Sequence, residues 1–396
     1  DIPKDVQLQR IAVSHWPEPG CAQAAPAPDA DKIAQAAQMI NQAKRPILYL
    51  GGGVVHSGAS EAAVTLAEQA SLPTTMTLMA LGAMPVDHPL SLGMLGMHGA
   101  PYTNLALEEC DLLIAVGARF DDRATGKVAA FCPNAAIIHI DIDPSELDKI
   151  KTAHVGIAGD VGAVLAQLLP QVQASLREDW NQRVAQLKAE RPLQLPGLDD
   201  PRSHYGLVQA VADALDDSAF VATDVGQHQM WVAQAYPLRR PRQWLTSGGL
   251  GTMGFGLPTA IGAALANPER TVVCFSGDGS ILMNIQEFAT LAEAGLNVKV
   301  VLMNNASLGL VHQQQELFYG ERIFASRFIA QPDFLQIARG FRIAELDLDA
   351  AADPRAALKQ ALNAPGPCLI HASIDVKEKV YPMVPPGAAN KEMIGG

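Results

Sequence analysis

Residues 271–315 constrain the fold more than any other stretch of the chain: TVVCFSGDGSILMNIQEFATLAEAGLNVKVVLMNNASLGLVHQQQ. Residues 271–276 are an apolar, β-rich run that reads as a buried strand. Gly277-Asp278-Gly279 breaks it with a tight turn. Asn284, with Glu287 three residues on, has the form of a capping box ahead of a helix whose apolar face carries Phe288, Leu291 and Ala292. Gly295 closes that helix, and residues 298–303 form a second buried strand running out into Asn304-Asn305. Strand, helix, strand in this order is one βαβ unit, so the two strands are expected to be parallel neighbours. Asp278 and Asn305 then share the carboxyl edge of the sheet, where open α/β sheets bind ligands.

One carboxylate, one amide oxygen and nearby loop carbonyls make a cage of hard oxygens. Such a cage suits Mg²⁺, which takes a few protein oxygens together with substrate phosphates. The flanking glycines let backbone N–H groups approach phosphate oxygens closely. The expectation is a Mg²⁺-diphosphate site. A GDG tripeptide alone reads equally as a turn; GDG and Asn-Asn one βαβ unit apart carry the argument.

A chain of 396 residues, 48% hydrophobic and 18% charged, has the material for two or three well-buried domains. A net charge of −12 argues against nucleic acid and anionic membrane surfaces as partners, and no apolar run is long enough to span a bilayer. Five scattered cysteines without CxxC spacing suggest neither a disulfide framework nor a zinc site, so a reducing, cytoplasmic setting is expected. No signal peptide is evident, and the first residue is Asp1, so the chain reads as a fragment or processed product.

Along the chain, residues 1–28 read as the end of a preceding domain plus a Pro/Ala-rich linker. Residues 29–168 alternate helices with strands at 46–50, 73–78, 112–116 and 136–142, the pattern of a doubly wound, Rossmann-like domain. Residues 169–202 read as helix and linker, and 203–396 as a second α/β domain with a Pro/Gly-rich tail. Strands there are expected at 220–223, 243–246, 271–276, 298–303 and 368–373. Gly51-Gly52-Gly53 is not the dinucleotide fingerprint; a tight strand-to-helix turn explains it about as well as a nucleotide does.

Several segments together resemble the catalytic subunit of the acetohydroxyacid (acetolactate) synthase family. They are DVGQHQMW (224–231), TSGGLGTMGFGLP (246–258), SGDGSILMNIQE (276–287), LGMHG (95–99), GARFDDR (117–123), HIDIDP (139–144) and EKVYPMVPPGAANKEM (378–393). The GDG–NN pair is shared with other thiamine diphosphate (ThDP) enzymes; GARFDDR and the tail separate this family from them. The resemblance implies a Rossmann-like FAD-binding middle domain and a C-terminal domain that binds ThDP diphosphate. It implies a carboligase in which pyruvate is decarboxylated on ThDP and the resulting two-carbon carbanion attacks a second 2-keto acid, with FAD taking no redox part. By the same resemblance, Asp278, Asn305 and the Ser307 carbonyl would hold Mg²⁺. Val225, Gly226, Gln227, His228, Gly251, Met253, Gly279 and Ser280 would hold ThDP, with Met253 enforcing its bent shape. Gly51, Gly52, Gly53, Thr77, Leu78, Met97, His98, Gly99, Gly117, Ala118, Arg119, Asp121, Arg123, Asp141, Ile142 and Asp160 would line FAD. Arg123 would also grip the second keto acid's carboxylate, and Leu310 and Gln314 would face that substrate. Taken singly, His228 and Met253 read as core residues, and Arg119 and Arg123 as surface ion pairs.

The partners implied are 2-keto acids, a second copy of the chain in a homodimer or higher oligomer, and a small regulatory subunit. Two departures from the family stand out. Its first domain, which carries a glutamate that activates the cofactor's aminopyrimidine, is matched only at its end by DIPKDVQ (1–7), and a tryptophan common in the family is replaced by Gln314. The alternatives are another ThDP enzyme, of the glyoxylate carboligase or oxalyl-CoA decarboxylase kind, and a cofactor-binding fragment without turnover.

Overall fold

The computed structural model describes residues 2–16, 18, 20 and 24–395. Two six-stranded sheets, parallel throughout, organise them. The first contains β1 (Pro46–Leu50), β2 (Thr74–Met76), β3 (Ser91–Met94), β4 (Leu112–Val116), β5 (Ala136–Asp141) and β6 (Val155–Ala158), in the order β3-β2-β1-β4-β5-β6. The second contains β7 (Phe220–Thr223), β8 (Trp244–Leu245), β9 (Val272–Gly277), β10 (Val298–Asn304), β11 (Ala344–Asp347) and β12 (Cys368–Ser373), in the order β11-β12-β10-β9-β7-β8. The two-domain, doubly wound α/β architecture is therefore as expected, and β9 and β10 are parallel neighbours paired from Val298↔Val272 to Met303↔Gly277.

The central strands were legible because they are buried on both faces: β1 and β4 are apolar and buried at every position. The strands that sequence reading did not find are β3 (SLGM), β6 (VGIA) and β11 (AELD), which lie at sheet edges. They are short and carry Gly or charge, so no buried run marks them. Helix Pro354–Asn363 was also missed, although its signal is present: Asp353 caps it, proline opens it, and Leu358 and Leu362 form its buried stripe.

Asn284 and the tail depart from expectation, whereas the helix expected within 169–202 is present. Asn284 forms no capping box; its side chain instead donates to the Gly254 carbonyl at 2.5 Å. Glu178–Glu190 packs Trp180, Val184 and Leu187 onto the outer face of the first sheet, and Trp180 donates its indole N–H to the Pro46 carbonyl at 3.0 Å. Residues after 381, assigned to the second domain, lie along the first. The Val384 N–H donates to the Met97 carbonyl at 2.9 Å, Asn390 donates to the Ala124 carbonyl at 2.8 Å, and Lys391 pairs with Glu108 at 3.0 Å. One apolar cluster is continuous between the domains, running from Leu50, Leu81 and Met84 to Tyr236 and Leu238. Among the described residues no helix is long and apolar enough to cross a membrane.

Candidate cofactor sites

At the carboxyl edge of the second sheet, β7, β9 and β10 end around one cavity of about 200 Å³. It brings together Val225, Gly226, Gln227, His228, Gly251, Met253, Asp278, Gly279, Ser280, Asn305, Ser307 and Leu310, all named from sequence. Gln314 is not part of the lining; it sits on helix Gly309–Phe318, one turn beyond Leu310, and is exposed.

Each wall has a local cause. Asp224, fully buried at the end of β7, accepts from the N–H groups of Val225 (2.8 Å), Gly254 (2.8 Å) and Gly256 (3.1 Å), fastening the loop with Gly251 and Met253 to the sheet. Gly251 and Gly254 have φ of +63° and +86°, a region that glycine enters without strain. Asn284 closes the other side of that loop through its bond to Gly254. Asp224 and Asn284 were not singled out as site residues from sequence. A buried acid followed two residues on by Gly, at a strand's carboxyl end, was the available signal.

Asp278 begins the short helix Asp278–Ile281, and its Oδ2 accepts from the Ser307 N–H at 3.1 Å and from Gln331 Nε2 at 2.5 Å. Burial pushes its carboxyl up to about 6, because the charged form lacks solvent. An ionised carboxylate there calls for a positive charge beside it. Asn305 Nδ2 donates to Gln227 Oε1 at 2.9 Å, which turns the Asn305 carbonyl oxygen away from Gln227. The Gln227 Nε2 in turn donates to Gln313 Oε1 and to the Glu378 carbonyl, both at 3.0 Å. The side chain of Gln227 is thus spent on orienting Asn305, a role the sequence did not suggest. His228 packs against the α-carbons of Gly226 and Gly277, where a Cβ would press on its ring. Burial drives it down to about 3, so it is neutral, and its Nε2 has no hydrogen-bond partner among the described residues. Hard oxygens, a carboxylate short of countercharge and an unpartnered polar nitrogen around one glycine-edged cavity fit Mg²⁺ and a diphosphate.

The first sheet offers a second edge. Its strand order reverses between β1 and β4, the switch point where doubly wound folds take dinucleotides. Here Gly53 donates to the Gly117 carbonyl at 3.1 Å, and a Cβ on Gly51 or Gly53 would collide with the Gly117 backbone. The plain reading of the triple glycine, a tight strand-to-helix turn, also holds: Gly51 leads from β1 straight into helix Gly52–His56. Thr77 and Leu78 follow β2, Met97-His98-Gly99 follow β3, Gly117-Ala118-Arg119 follow β4, and Asp141-Ile142 end β5. The Thr77 hydroxyl is buried without a partner among the described residues, as befits a group awaiting a ligand. His98 donates its Nδ1–H to the Pro382 carbonyl of the tail at 3.0 Å, and burial lowers it to about 4. Two of the acids have a complete structural account: Asp121 caps helix Asp122–Thr125 and Asp160 caps Val161–Leu168. Arg119 and Ile142 are exposed, and exposed Arg123 pairs with Asp122 at 2.9 Å, as the plain reading had it for Arg123 alone.

Both edges match family models. Residues 33–168 match the thiamine pyrophosphate enzyme central domain, and residues 224–372 match the C-terminal TPP-binding domain. The acetolactate synthase isozyme 1 large subunit of Escherichia coli K12 is 62% identical over 395 residues, covering the whole of this chain and 70% of that protein. The chain belongs to the acetolactate synthase large-subunit family. The isozyme 2 large subunit of the same organism is 46% identical, with 71% of its length covered, and the large subunit of Parasynechococcus marenigrum is 46% identical, with 65% covered. An acetolactate synthase large subunit is a ThDP-dependent enzyme chain, and the family's cofactors are ThDP, Mg²⁺ and FAD. The designation "large subunit" implies a small-subunit partner.

Proposed function

We propose that this chain carries the FAD and Mg²⁺-diphosphate sites of an acetolactate synthase that condenses pyruvate with pyruvate or with 2-ketobutyrate. The observation that supports this most is the convergence of Asp278, Asn305, Ser307 and His228 on one cavity with Leu310 at its mouth. ThDP, when bound, supplies the electron sink for decarboxylation. Asp278, Asn305 and the Ser307 carbonyl would hold the cation, with Gln227 orienting Asn305. Met253, half-buried in the cavity wall, would press on the cofactor from below. Residues at the carboxyl edge of the first sheet would hold FAD. Arg123, tied only to exposed Asp122, has donors to spare for a keto acid's carboxylate. A second copy of the chain is part of the proposal, supported by the apolar side chains of Leu250, Phe324 and Ile329, which are 95%, 81% and 104% exposed. A cytoplasmic location belongs to it too, supported by the free, buried thiols of Cys110, Cys132, Cys274 and Cys368.

Pyruvate-dependent acetolactate formation by the full-length large subunit, with ThDP, Mg²⁺ and FAD supplied, tests the reading. Release of acetaldehyde alone, or protein that takes up no flavin, would overturn it.

Acceptor preference is a separate expected result. Leu310 lines the cavity and Gln314 stands one helical turn on. An aromatic wall at that position would bury the extra methylene of 2-ketobutyrate, worth about 0.8 kcal/mol and somewhat more with good contacts. A flexible glutamine lacks that wall. The wild-type enzyme should barely distinguish the two acceptors, and Gln314→Trp should raise the preference for 2-ketobutyrate roughly ten-fold. Competition between both keto acids, with product analysis, measures it. A wild-type preference above roughly thirty-fold, about 2 kcal/mol, would remove Gln314 as the determinant.

A further inference from the structure

Behind the cation site lies a run of polar side chains that no ligand contact accounts for. Gln331, exposed on the loop at 329–333, sends its Nε2 to two acceptors: Asp278 Oδ2 at 2.5 Å and Asn304 Oδ1 at 2.9 Å. Asn304 Oδ1 also accepts the Ala306 N–H at 3.1 Å. That bond closes a tight turn in which Ala306, a non-glycine residue, is held at φ +54°. The turn presents Asn305 on one side and Ser307 on the other. With Oδ1 so occupied, the Asn304 amide must point Nδ2 at its remaining neighbour, His371 Nε2, 3.0 Å away on β12. That ring nitrogen therefore accepts, and the ring proton sits on Nδ1. Nδ1 faces the carboxylates of Asp347 (3.9 Å) and Asp349 (3.8 Å), and Asp349 is itself anchored by the Ser373 N–H at 3.2 Å. Nδ1 makes no hydrogen bond among the described residues, the two carboxylates lying beyond hydrogen-bond distance.

We propose that Gln331 is a positioning residue for the cation: braced through Asn304 by His371, its amide fixes Asp278 Oδ2 and the turn at 304–307, and so presents Asp278 Oδ1, Asn305 and Ser307 in one geometry. The donors from Ser307 and Gln331 both land on Oδ2, which leaves Oδ1 the oxygen better placed for a cation. Outer partners of this kind typically tune metal affinity by about 10–100-fold. The proposal rests on the cofactor reading above and deepens it.

The test is Mg²⁺ dependence in the full-length large subunit, measured both as calorimetric binding of ThDP at graded Mg²⁺ and as the KM for Mg²⁺. Gln331→Leu is expected to weaken Mg²⁺ about ten-fold or more, with kcat at saturating Mg²⁺ within about two-fold of wild type and flavin absorbance unchanged. His371→Leu should weaken it by about three-fold, and His371→Gln, whose Oε1 can still accept from Asn304, should restore it. Because Gln331 is exposed, its substitution should leave the fold intact. Mg²⁺ affinity within two-fold of wild type in Gln331→Leu overturns the proposal, and so does a fall in kcat and flavin content together, which would mark general loosening. Wild-type protein whose ThDP binding ignores Mg²⁺ would instead overturn the cofactor reading, and the proposal with it.

Discussion

Asp278→Ala in the full-length large subunit is expected to abolish Mg²⁺-dependent ThDP binding while leaving FAD in place. Asp278 is 1% exposed and lines the cavity at the carboxyl edge of the second sheet, so its ionised form, cut off from solvent, gains from a cation beside it. Alanine removes the only carboxylate in the cavity lining and leaves the Ser307 N–H without its acceptor. Removing an outer partner already costs about 10–100-fold in metal affinity, so loss of a charged ligand should cost at least about 100-fold, or ~2.7 kcal/mol. The flavin residues lie at the edge of the other sheet, and the substitution reaches none of their strands. Calorimetry with ThDP and Mg²⁺, alongside the flavin spectrum, gives the answer. Unchanged ThDP affinity would remove Asp278 from the site.

Residues 1–396 produced alone should bind FAD yet form acetolactate at a rate about 10²–10⁴-fold below that of the full-length large subunit. The cavity lining holds no glutamate, and its one carboxylate, Asp278, is committed to the cation turn. His228 is held neutral and buried, unable to gain a proton near neutral pH. None of the cavity-lining residues is thus placed to serve as a proton-transfer carboxylate. The chain spans 70% of the isozyme 1 large subunit's length. Clear turnover by the 396 residues alone would show that a group within them moves the proton.

The cation turn was legible because its chemistry is local: GDG and Asn-Asn fall at the ends of two adjacent buried strands, and burial writes such strands plainly into sequence. What was not legible depends on residues distant along the chain. Asp224 meets Gly254, Asn284 meets the same glycine, and Gln227 meets both Asn305 and the chain at Glu378. No periodicity announces such pairs. Asn284 misled in an instructive way, since its capping pattern was correct in form but a loop carbonyl competed for the amide and won. Edge strands failed for a different reason: half-exposed and short, β3 and β11 lack the alternation that reading depends on. At the edge proposed for flavin, the sequence does not separate ligand acids from structural ones, because Asp121 and Asp160 are also ordinary helix caps.

The terminal strap bears on how the protein is made. The Met97 N–H is sewn to the Arg123 carbonyl, the Met97 carbonyl to Val384, and Ala124 to Asn390. A ribosome releases the flavin domain's own strands early, yet these loops gain their last partners only after residue 390 has emerged. Synthesis of one lobe thus ends with the other already built, and a nascent chain stalled anywhere in the second sheet carries a first sheet whose cofactor edge is unfinished. Completion of the first sheet's carboxyl edge waits on residues 384–390, by which point the second sheet is also present.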